Sequence, residues 1–142
     1  MPKMYRAMRK DSDDKPIVDS SGKGLGVRGV PVNGVTDVDL DSEGCVLLNN
    51  KGMSVAPRWR DLPIFLISKR LIDKVPGARG SSNLYCFTMG GGNFQDGDVS
   101  ESLTLRVDSK SHGVICPMSL MRLADYEIEL ASTREQWGVD ED

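Results

Sequence analysis

Alternating apolar and polar residues predict several short strands along the chain. In residues 35–41, Thr36, Val38 and Leu40 alternate with three aspartates, and residues 103–108 repeat the pattern. A period of two indicates a strand with one buried face. Composition predicts further strands, and the turn residues between some of them are typical of hairpins: 4–8, 45–48, 53–55, 65–67, 84–88 and 114–116.

A helical pattern lies near the C-terminus. Its apolar residues recur with a spacing close to 3.6: Leu120, Leu123, Tyr126, Leu130 and Trp137. Pro117 precedes them and suits a first helical turn, whereas Gly138 follows them where a helix commonly stops. The spacing predicts a helix over 118–136.

Many short strands with few helices are typical of an α+β domain built mainly on antiparallel sheets. The alternation of strands and helices that a parallel sheet requires is not seen in the pattern. A length of 142 residues fits one ordinary domain, so we expect residues 1–142 to form a single domain with a C-terminal helix.

Composition narrows the classes of function. Apolar residues make up 39% and charged residues 27%, which favours neither a disordered chain nor a membrane protein. No apolar run approaches the ~20 residues that span a bilayer. With 18 basic against 21 acidic residues and a net charge of −3, binding to nucleic acid by bulk charge is disfavoured.

The cysteines and the N-terminus bear on the compartment. Cys45, Cys86 and Cys116 are odd in number, widely spaced and form no CxxC pair, so they predict neither a disulfide framework nor a metal site. The first residues contain no apolar signal core. We therefore expect free thiols and a cytoplasmic protein, with secretion by a route that cleaves no signal left open.

Three short motifs resemble known ligand-binding loops. The segment Gly24–Gly29 matches GxGxxG, but Pro31 and Gly34 prevent the helix that a dinucleotide fingerprint needs, which favours a mobile glycine loop. The run 90–92 of three glycines fits either a phosphate-binding backbone or a loop tip. Residues 96–107 have calcium-loop spacing at their start but lack the glycine and the final glutamate, so a calcium site is rejected.

Three polar residues are candidates for chemistry, and each also has a purely structural interpretation. Arg6, beside Tyr5 in the first predicted strand, is either solvent-facing or held in a cleft to bind a phosphate or carboxylate. Ser54 is either an inert strand serine or a hydroxyl that holds an amide such as nicotinamide. The one histidine, His112, is either a surface residue or a general acid or base.

These residues lie in motifs whose order is that of a toxin family. The motifs are Met4-Tyr5-Arg6-Ala7, Gly52-Met53-Ser54-Val55, and His112-x-x-Ile115-x-Pro117 leading to Gln136-Trp137. In them the chain resembles the small bacterial effector toxins of the ADP-ribosyltransferase fold that type VI secretion delivers. The resemblance covers both ends and the middle of the chain.

The resemblance implies a fold and an activity. It implies an ADP-ribosyltransferase-like split pair of small antiparallel sheets around a cleft that binds NAD as a substrate. By position, Tyr5, Arg6 and Ser54 would contact the NAD, with Arg6 on its phosphates and Ser54 on the nicotinamide side. Ser54 and His112 would be the catalytic positions. It further implies toxicity inside a target cell and a cognate immunity protein as partner.

The chain departs from the family pattern at Met53, where the family has threonine. Three glutamates are candidates for the carboxylate that ADP-ribosyl transfer generally uses: Glu101, Glu127 and Glu129. Because of these departures, a non-catalytic protein on the same fold is an alternative. It would bind a partner through residues 58–60 (Arg58, Trp59 and Arg60), which we expect to be exposed. A β-rich module without a ligand is a third interpretation.

Overall fold

A computed structural model describes residues 1–31 and 33–142 and has an α+β fold. Its strands are β1 (Met4–Arg9), β2 (Met53–Val55), β3 (Leu84–Met89), β4 (Gly97–Asp98), β5 (Leu103–Ser109), β6 (His112–Pro117) and β7 (Gly138–Val139). The α-helix α1 is Leu123–Ala131, and 3-10 turns lie at Trp59–Asp61, Lys69–Leu71 and Arg134–Gln136. Five predicted strands are confirmed: 4–8, 53–55, 84–88, 103–108 and 114–116.

The strands form two sheets whose neighbours are all antiparallel. One sheet has the order β1-β3-β7 and the other the order β2-β6-β5-β4. The prediction of mainly antiparallel sheets with a C-terminal helix is therefore confirmed. Strands β5 and β6 form a hairpin with a β-bulge between Val107 and Ser109.

The two sheets meet where β1 passes the end of β2. Tyr5 and Ala56 exchange both backbone hydrogen bonds, at 2.7 and 2.9 Å. In a continuing antiparallel ladder the next such pair would be Ala7 and Ser54. The sheets separate there instead, and the glycine-rich segment 17–26 lies along β1 where β2 would have continued. The Arg9 N–H donates to the Lys23 carbonyl at 2.8 Å, and the Ile17 N–H donates to the Arg9 carbonyl at 3.0 Å.

Residues of β1 alternate between two hydrophobic clusters. Met4 and Met8 face the main core, which the four-stranded sheet, α1 and Trp137 complete. Tyr5 and Ala7 face a second cluster on the opposite side of the sheet, built from the segment around Trp59 and residues 62–78. Because side chains alternate along a strand, Arg6 points to the main-core side.

Some predicted strands are wrong. Residues 35–41 form an irregular loop, because the Asp37 carboxylate accepts hydrogen bonds from the backbone N–H and the guanidinium of Arg28 at 2.7–3.1 Å. Residues 65–67 form a turn after Pro63, whose carbonyl accepts from the backbone N–H of Leu66 at 2.8 Å. Residues 45–48 contribute only isolated bridges. Alternation alone does not reveal these local contacts.

The predicted helix over 118–136 is too long. Strand β6 continues to Pro117, so this proline ends a strand instead of starting a helix. The next residues bond to the 44–46 loop, through Met121 O to the Val46 N–H at 2.8 Å and through the Leu123 N–H. Consequently α1 begins at Leu123, and Gly138 starts β7 instead of ending a helix.

Candidate functional site

Arg6 lies at the point where the two sheets separate. Its Nη1 donates to the Ser54 carbonyl oxygen at 2.8 Å, and its Nε and Nη2 donate to the Gly24 carbonyl oxygen at 3.2 and 3.1 Å. Longer contacts of 3.5 Å reach the carbonyls of Gly22 and Gly26. The side chain is buried, with 6% exposure. The guanidinium thus bonds across the gap that the backbone ladder leaves.

The charge of Arg6 has no direct ion-pair partner among residues 1–31 and 33–142. Burial lowers the pKa of its guanidinium to about 10, and the Asp37 carboxylate opposes this shift. Backbone carbonyl oxygens are therefore the groups that bond directly to this charge. An anion that used Arg6 would have to displace the glycine-rich segment first.

The GxGxxG motif has a packing role in this fold. A Cβ on Gly24 would lie 2.6 Å from the Cβ of Asp19, and a Cβ on Gly26 would overlap the Asp19 carbonyl oxygen. Leu25 and Val27, between and after these glycines, are buried in the main core. The expected mobile loop is thus packed tightly against β1, and the glycines permit its close approach.

Ser54 lies in the middle of β2, a strand whose position Tyr126 fixes. The Tyr126 hydroxyl accepts from the Met53 N–H at 3.1 Å and donates to the carbonyl of Ile115 on β6. Met53 and Val55 point into the core, so the Ser54 side chain points to the outer face of the four-stranded sheet. Arg6 therefore contacts the backbone of Ser54, while the hydroxyl lies on the opposite face.

Ser54 and His112 share this outer face. Ser54 pairs directly with Val114 on β6, and His112 lies two residues earlier on the same strand. Such diagonal neighbours on antiparallel strands have Cα separations of roughly 7–8 Å. Arg106 pairs with Val114 from the other side and is exposed on the same face. We call Ser54, Arg106, His112 and Val114 the outer-face cluster.

Asp108 holds the His112 ring. Its two carboxylate oxygens lie 2.8 and 2.9 Å from His112 Nδ1, across the turn of the β5–β6 hairpin. The Nε2 atom is on the opposite edge of the ring from this contact. Sequence reasoning missed Asp108; the signal was a carboxylate four residues before the histidine in a strand–turn–strand pattern.

Tyr5 lies apart from the outer-face cluster. It is buried in the second cluster, and its hydroxyl donates to Asp140 Oδ2 at 2.7 Å. Burial and this hydrogen bond raise its pKa. The backbone of Tyr5 joins the two sheets through Ala56, whereas its hydroxyl lies beside Asp140, away from Ser54 and His112.

The three candidate glutamates take different positions. Glu127 and Glu129 lie on α1, where Glu127 accepts from the Ser20 hydroxyl at 3.2 Å and Glu129 from the Ser102 hydroxyl at 2.8 Å. Glu101 is exposed in the turn before β5. Asp108 is the carboxylate that contacts a residue of the outer-face cluster.

Two open cavities lie elsewhere on the surface. One, of about 290 Å³, is lined by residues of the glycine-rich segment and Glu127. The other, of about 430 Å³, lies between β7 and residues 10–15. Arg6, Ser54 and His112 line neither cavity. Ser54 contacts Arg6 through its backbone carbonyl, and its side chain lies on the face that His112 shares. The three side chains therefore do not surround a common cavity.

Several chemistries find no support in the described part of the chain. No group of three His, Cys, Asp or Glu residues there is arranged to hold a metal ion. Burial raises the pKa of the Cys86 thiol to about 12 and that of Cys116 to about 11, so both remain protonated at neutral pH. No helix within the two described ranges has the length and apolarity to cross a bilayer.

Residues 58–60, the segment suggested for partner binding, are exposed only in part. Trp59 was expected to be exposed, but it is buried at 4% exposure and its Nε1 donates to the Asp142 carbonyl oxygen at 2.9 Å. Its ring is covered by the second cluster and by the guanidinium of Arg60, 4.9 Å from the ring centre. Arg58 and Arg60 are exposed.

Comparison of the chain with protein-family models, with curated proteins and with solved structures finds no match.

Proposed function

We propose that the chain is a toxin of the ADP-ribosyltransferase type that acts on NAD inside a target cell, where a cognate immunity protein would neutralise it. The motif order supports this proposal. The observation that carries it is the outer-face cluster, in which Ser54 and an Asp108-oriented His112 are neighbours beside the separation of two antiparallel sheets.

Each residue of the cluster has a chemical role in the proposal. The Ser54 hydroxyl holds the carboxamide of nicotinamide, and His112 Nε2 accepts the proton of the attacking nucleophile while Asp108 fixes the ring. NAD supplies an ADP-ribosyl group whose bond to nicotinamide breaks on transfer. Arg6 is a positioning residue, because it holds the Ser54 backbone and its own donors are already used.

Arg106 is the cation best suited to the phosphates. It is exposed and shares the face of Ser54 from two strands away, a distance of roughly 10 Å. Its Nη1 donates to the Thr104 hydroxyl at 3.2 Å, which holds the guanidinium along the sheet and leaves other donors for an anion. The proposal therefore assigns the phosphate contact to Arg106, while direct contact by Arg6 remains the prediction of the resemblance.

The purified chain tests the enzymatic step through release of nicotinamide from NAD. His112→Ala should lower the rate by about 100-fold or more, as loss of a general base typically does. Ser54→Ala should lower it about tenfold, as expected for one lost hydrogen bond. Ser111→Ala, on the same hairpin, is the matched control and should change neither rate nor stability. Wild-type protein that releases no nicotinamide, alone or with bacterial lysate, would refute the enzymatic proposal.

Growth of bacteria expressing the chain tests toxicity separately. Wild-type expression should stop growth, and both His112→Ala and Arg106→Ala should restore it, whereas the exposed control Lys110→Ala should not. Normal growth with the folded wild-type chain would contradict the toxin proposal.

A non-catalytic partner-binding protein is the second candidate. The engaged state of Arg6 favours it, since this guanidinium is satisfied by carbonyls and buried. Toxicity that persists in folded Ser54→Ala and His112→Ala variants would favour this candidate over the enzyme.

A further inference from the structure

The segment Asp140–Asp142, which we call the acidic tail, crosses the edge of the three-stranded sheet. The Asp140 N–H donates to the Cys86 carbonyl at 2.8 Å, and the Cys86 N–H donates to Glu141 Oε2 at 3.2 Å. These bonds extend the pairing of β7 with β3. The tail thus continues from β7 along the edge of β3, held there by one main-chain bond and one bond to a side-chain carboxylate.

Basic and aromatic side chains form the other wall of this site. Arg70 Nη1 and Nη2 each lie 3.4 Å from a Glu141 carboxylate oxygen, and Lys74 Nζ donates to the Glu141 carbonyl at 2.8 Å. Tyr5 and Trp59 donate to Asp140 and Asp142. We call these four side chains and the Cys86 backbone the tail groove.

The charge around the groove differs from that of the whole chain. Residues 58–79, which supply Trp59, Arg70 and Lys74, contain six basic and two acidic residues, although the chain as a whole has 18 basic and 21 acidic residues. An acidic segment is therefore attracted to this part of the surface, and the acidic tail has the matching charge.

The tail is held by contacts that are weak one by one. Trp137 is fully buried, but Val139 after it is 42% exposed, and Asp142 is also exposed. Val139 therefore contributes little buried apolar surface to the attachment of the tail. The remaining contacts are hydrogen bonds and a partly exposed ion pair, which typically contribute about 0–1 kcal/mol each.

We propose that the tail groove is a binding site for an acidic, extended segment of a partner protein, which pairs with the edge of β3 after displacing the acidic tail. The main-chain bonds of Cys86 give affinity, Arg70 and Lys74 select for carboxylates, and Tyr5 and Trp59 bond to the ends of the segment. The site is separate from the outer-face cluster and does not depend on the proposed NAD chemistry.

The test uses the whole chain with its tail released. Asp140→Pro combined with Glu141→Gln removes the N–H bonded to Cys86 and two carboxylates. A fluorescent five-residue peptide with the sequence of residues 138–142 is then added, and its anisotropy is measured. We expect the peptide to bind the released variant at least tenfold more tightly than the wild type, and more weakly as salt increases.

Matched variants and peptides keep the test specific. Arg70→Ala with Lys74→Ala in the released variant should abolish binding, whereas Lys69→Ala, which removes a neighbouring exposed charge, should preserve it. A peptide with Asn-Gln-Asn in place of the acidic residues should bind at least tenfold more weakly. Equal binding to wild type and released variant, or equal binding of both peptides, would overturn the proposal.

A second variant and a sedimentation measurement complete the test. If Asp140→Pro unfolds the chain, Asp140→Asn with Glu141→Gln removes the same two carboxylates while keeping every backbone group. The peptide should then again bind this variant more tightly than the wild type. Sedimentation of the wild type at increasing concentration should show a monomer. A concentration-dependent dimer would overturn the assignment to a partner in favour of tail exchange between two copies of the chain.

Discussion

Arg6 donates from Nη1 to the Ser54 carbonyl at 2.8 Å, so an arginine side chain joins two strands where their backbones have separated. The same guanidinium donates twice to Gly24. One residue therefore holds β1, β2 and the glycine-rich segment together, and its loss would affect all three.

Replacing Arg6 should destabilise the fold. Arg6→Ala leaves the buried carbonyls of Ser54 and Gly24 without their donors, and each such group typically costs about 1–3 kcal/mol. We expect a loss of roughly 3 kcal/mol in the free energy of unfolding, measured by urea denaturation. Arg106→Ala, at an exposed strand arginine, should cost less than about 1 kcal/mol. Equal losses for both variants would contradict the bridging role of Arg6.

The Tyr126 hydroxyl should contribute measurably to stability. Tyr126→Phe removes the hydroxyl that bridges the Met53 N–H and the Ile115 carbonyl in the core, which should lower the free energy of unfolding by about 2 kcal/mol. Thermal unfolding monitored by circular dichroism measures this change. Tyr85→Phe, at a half-buried tyrosine, should change stability by less than about 0.5 kcal/mol. A neutral Tyr126→Phe variant would show that water replaces the hydroxyl.

Gly52 should tolerate no side chain. A Cβ there would overlap the Ile115 carbonyl oxygen and lie 2.8 Å from the Tyr126 hydroxyl. We expect Gly52→Ala to reduce stability by about 2 kcal/mol or more in urea denaturation, because a backbone contact cannot move aside. Gly91→Ala is the control, since its Cβ would meet open space and should cost little. Equal midpoints for the two variants would refute the steric argument.

Stability should fall at alkaline pH. The folded chain holds the pKa of Cys86 near 12 and that of Cys116 near 11, above the thiol value of the unfolded chain. Between about pH 9 and 11 the unfolded state therefore binds fewer protons, and stability decreases by roughly 1 kcal/mol per pH unit for each thiol. The lowered pKa of Arg6 opposes this trend only near pH 10 and above.

Urea midpoints measured from pH 8 to 10.5 test this dependence. The Cys86→Ala and Cys116→Ala double variant should show a flatter profile than the wild type. A thiol reagent at pH 8 should modify the half-buried Cys45 well before the two buried cysteines. Rapid modification of all three thiols in the folded chain would contradict the burial argument.

Local pattern was enough to predict most of the regular fold. The composition of segments such as 84–88 and 103–108 is enough to predict a strand, and each of them pairs with another predicted strand. The failures occur where a contact with a residue outside the predicted element decides, as with Asp37, which binds Arg28 instead of extending a strand. Pro117 also fits both a strand end and a helix start, and only its pairing with Leu103 distinguishes them.

The candidate site was predicted less completely than the fold. Ser54 and His112 lie close together because β2 pairs with β6. The sequence of neither strand alone specifies that pairing. The side of the sheet to which Arg6 points depends on strand register, and a shift by one residue would reverse it. Asp108 could be found only by foreseeing a hairpin that brings residues four apart across a turn.

The packing of segment 17–26 also bears on the place of the proposed ligand site. Leu25 in this segment and Val27 directly after it are buried in the main core, so moving the segment would disturb the core itself. The glycines let this segment pack closely at the seam between the sheets, whereas the Ser54 side chain lies on the other face of β2. The packed seam and the proposed ligand contact are in this way on opposite faces of one strand.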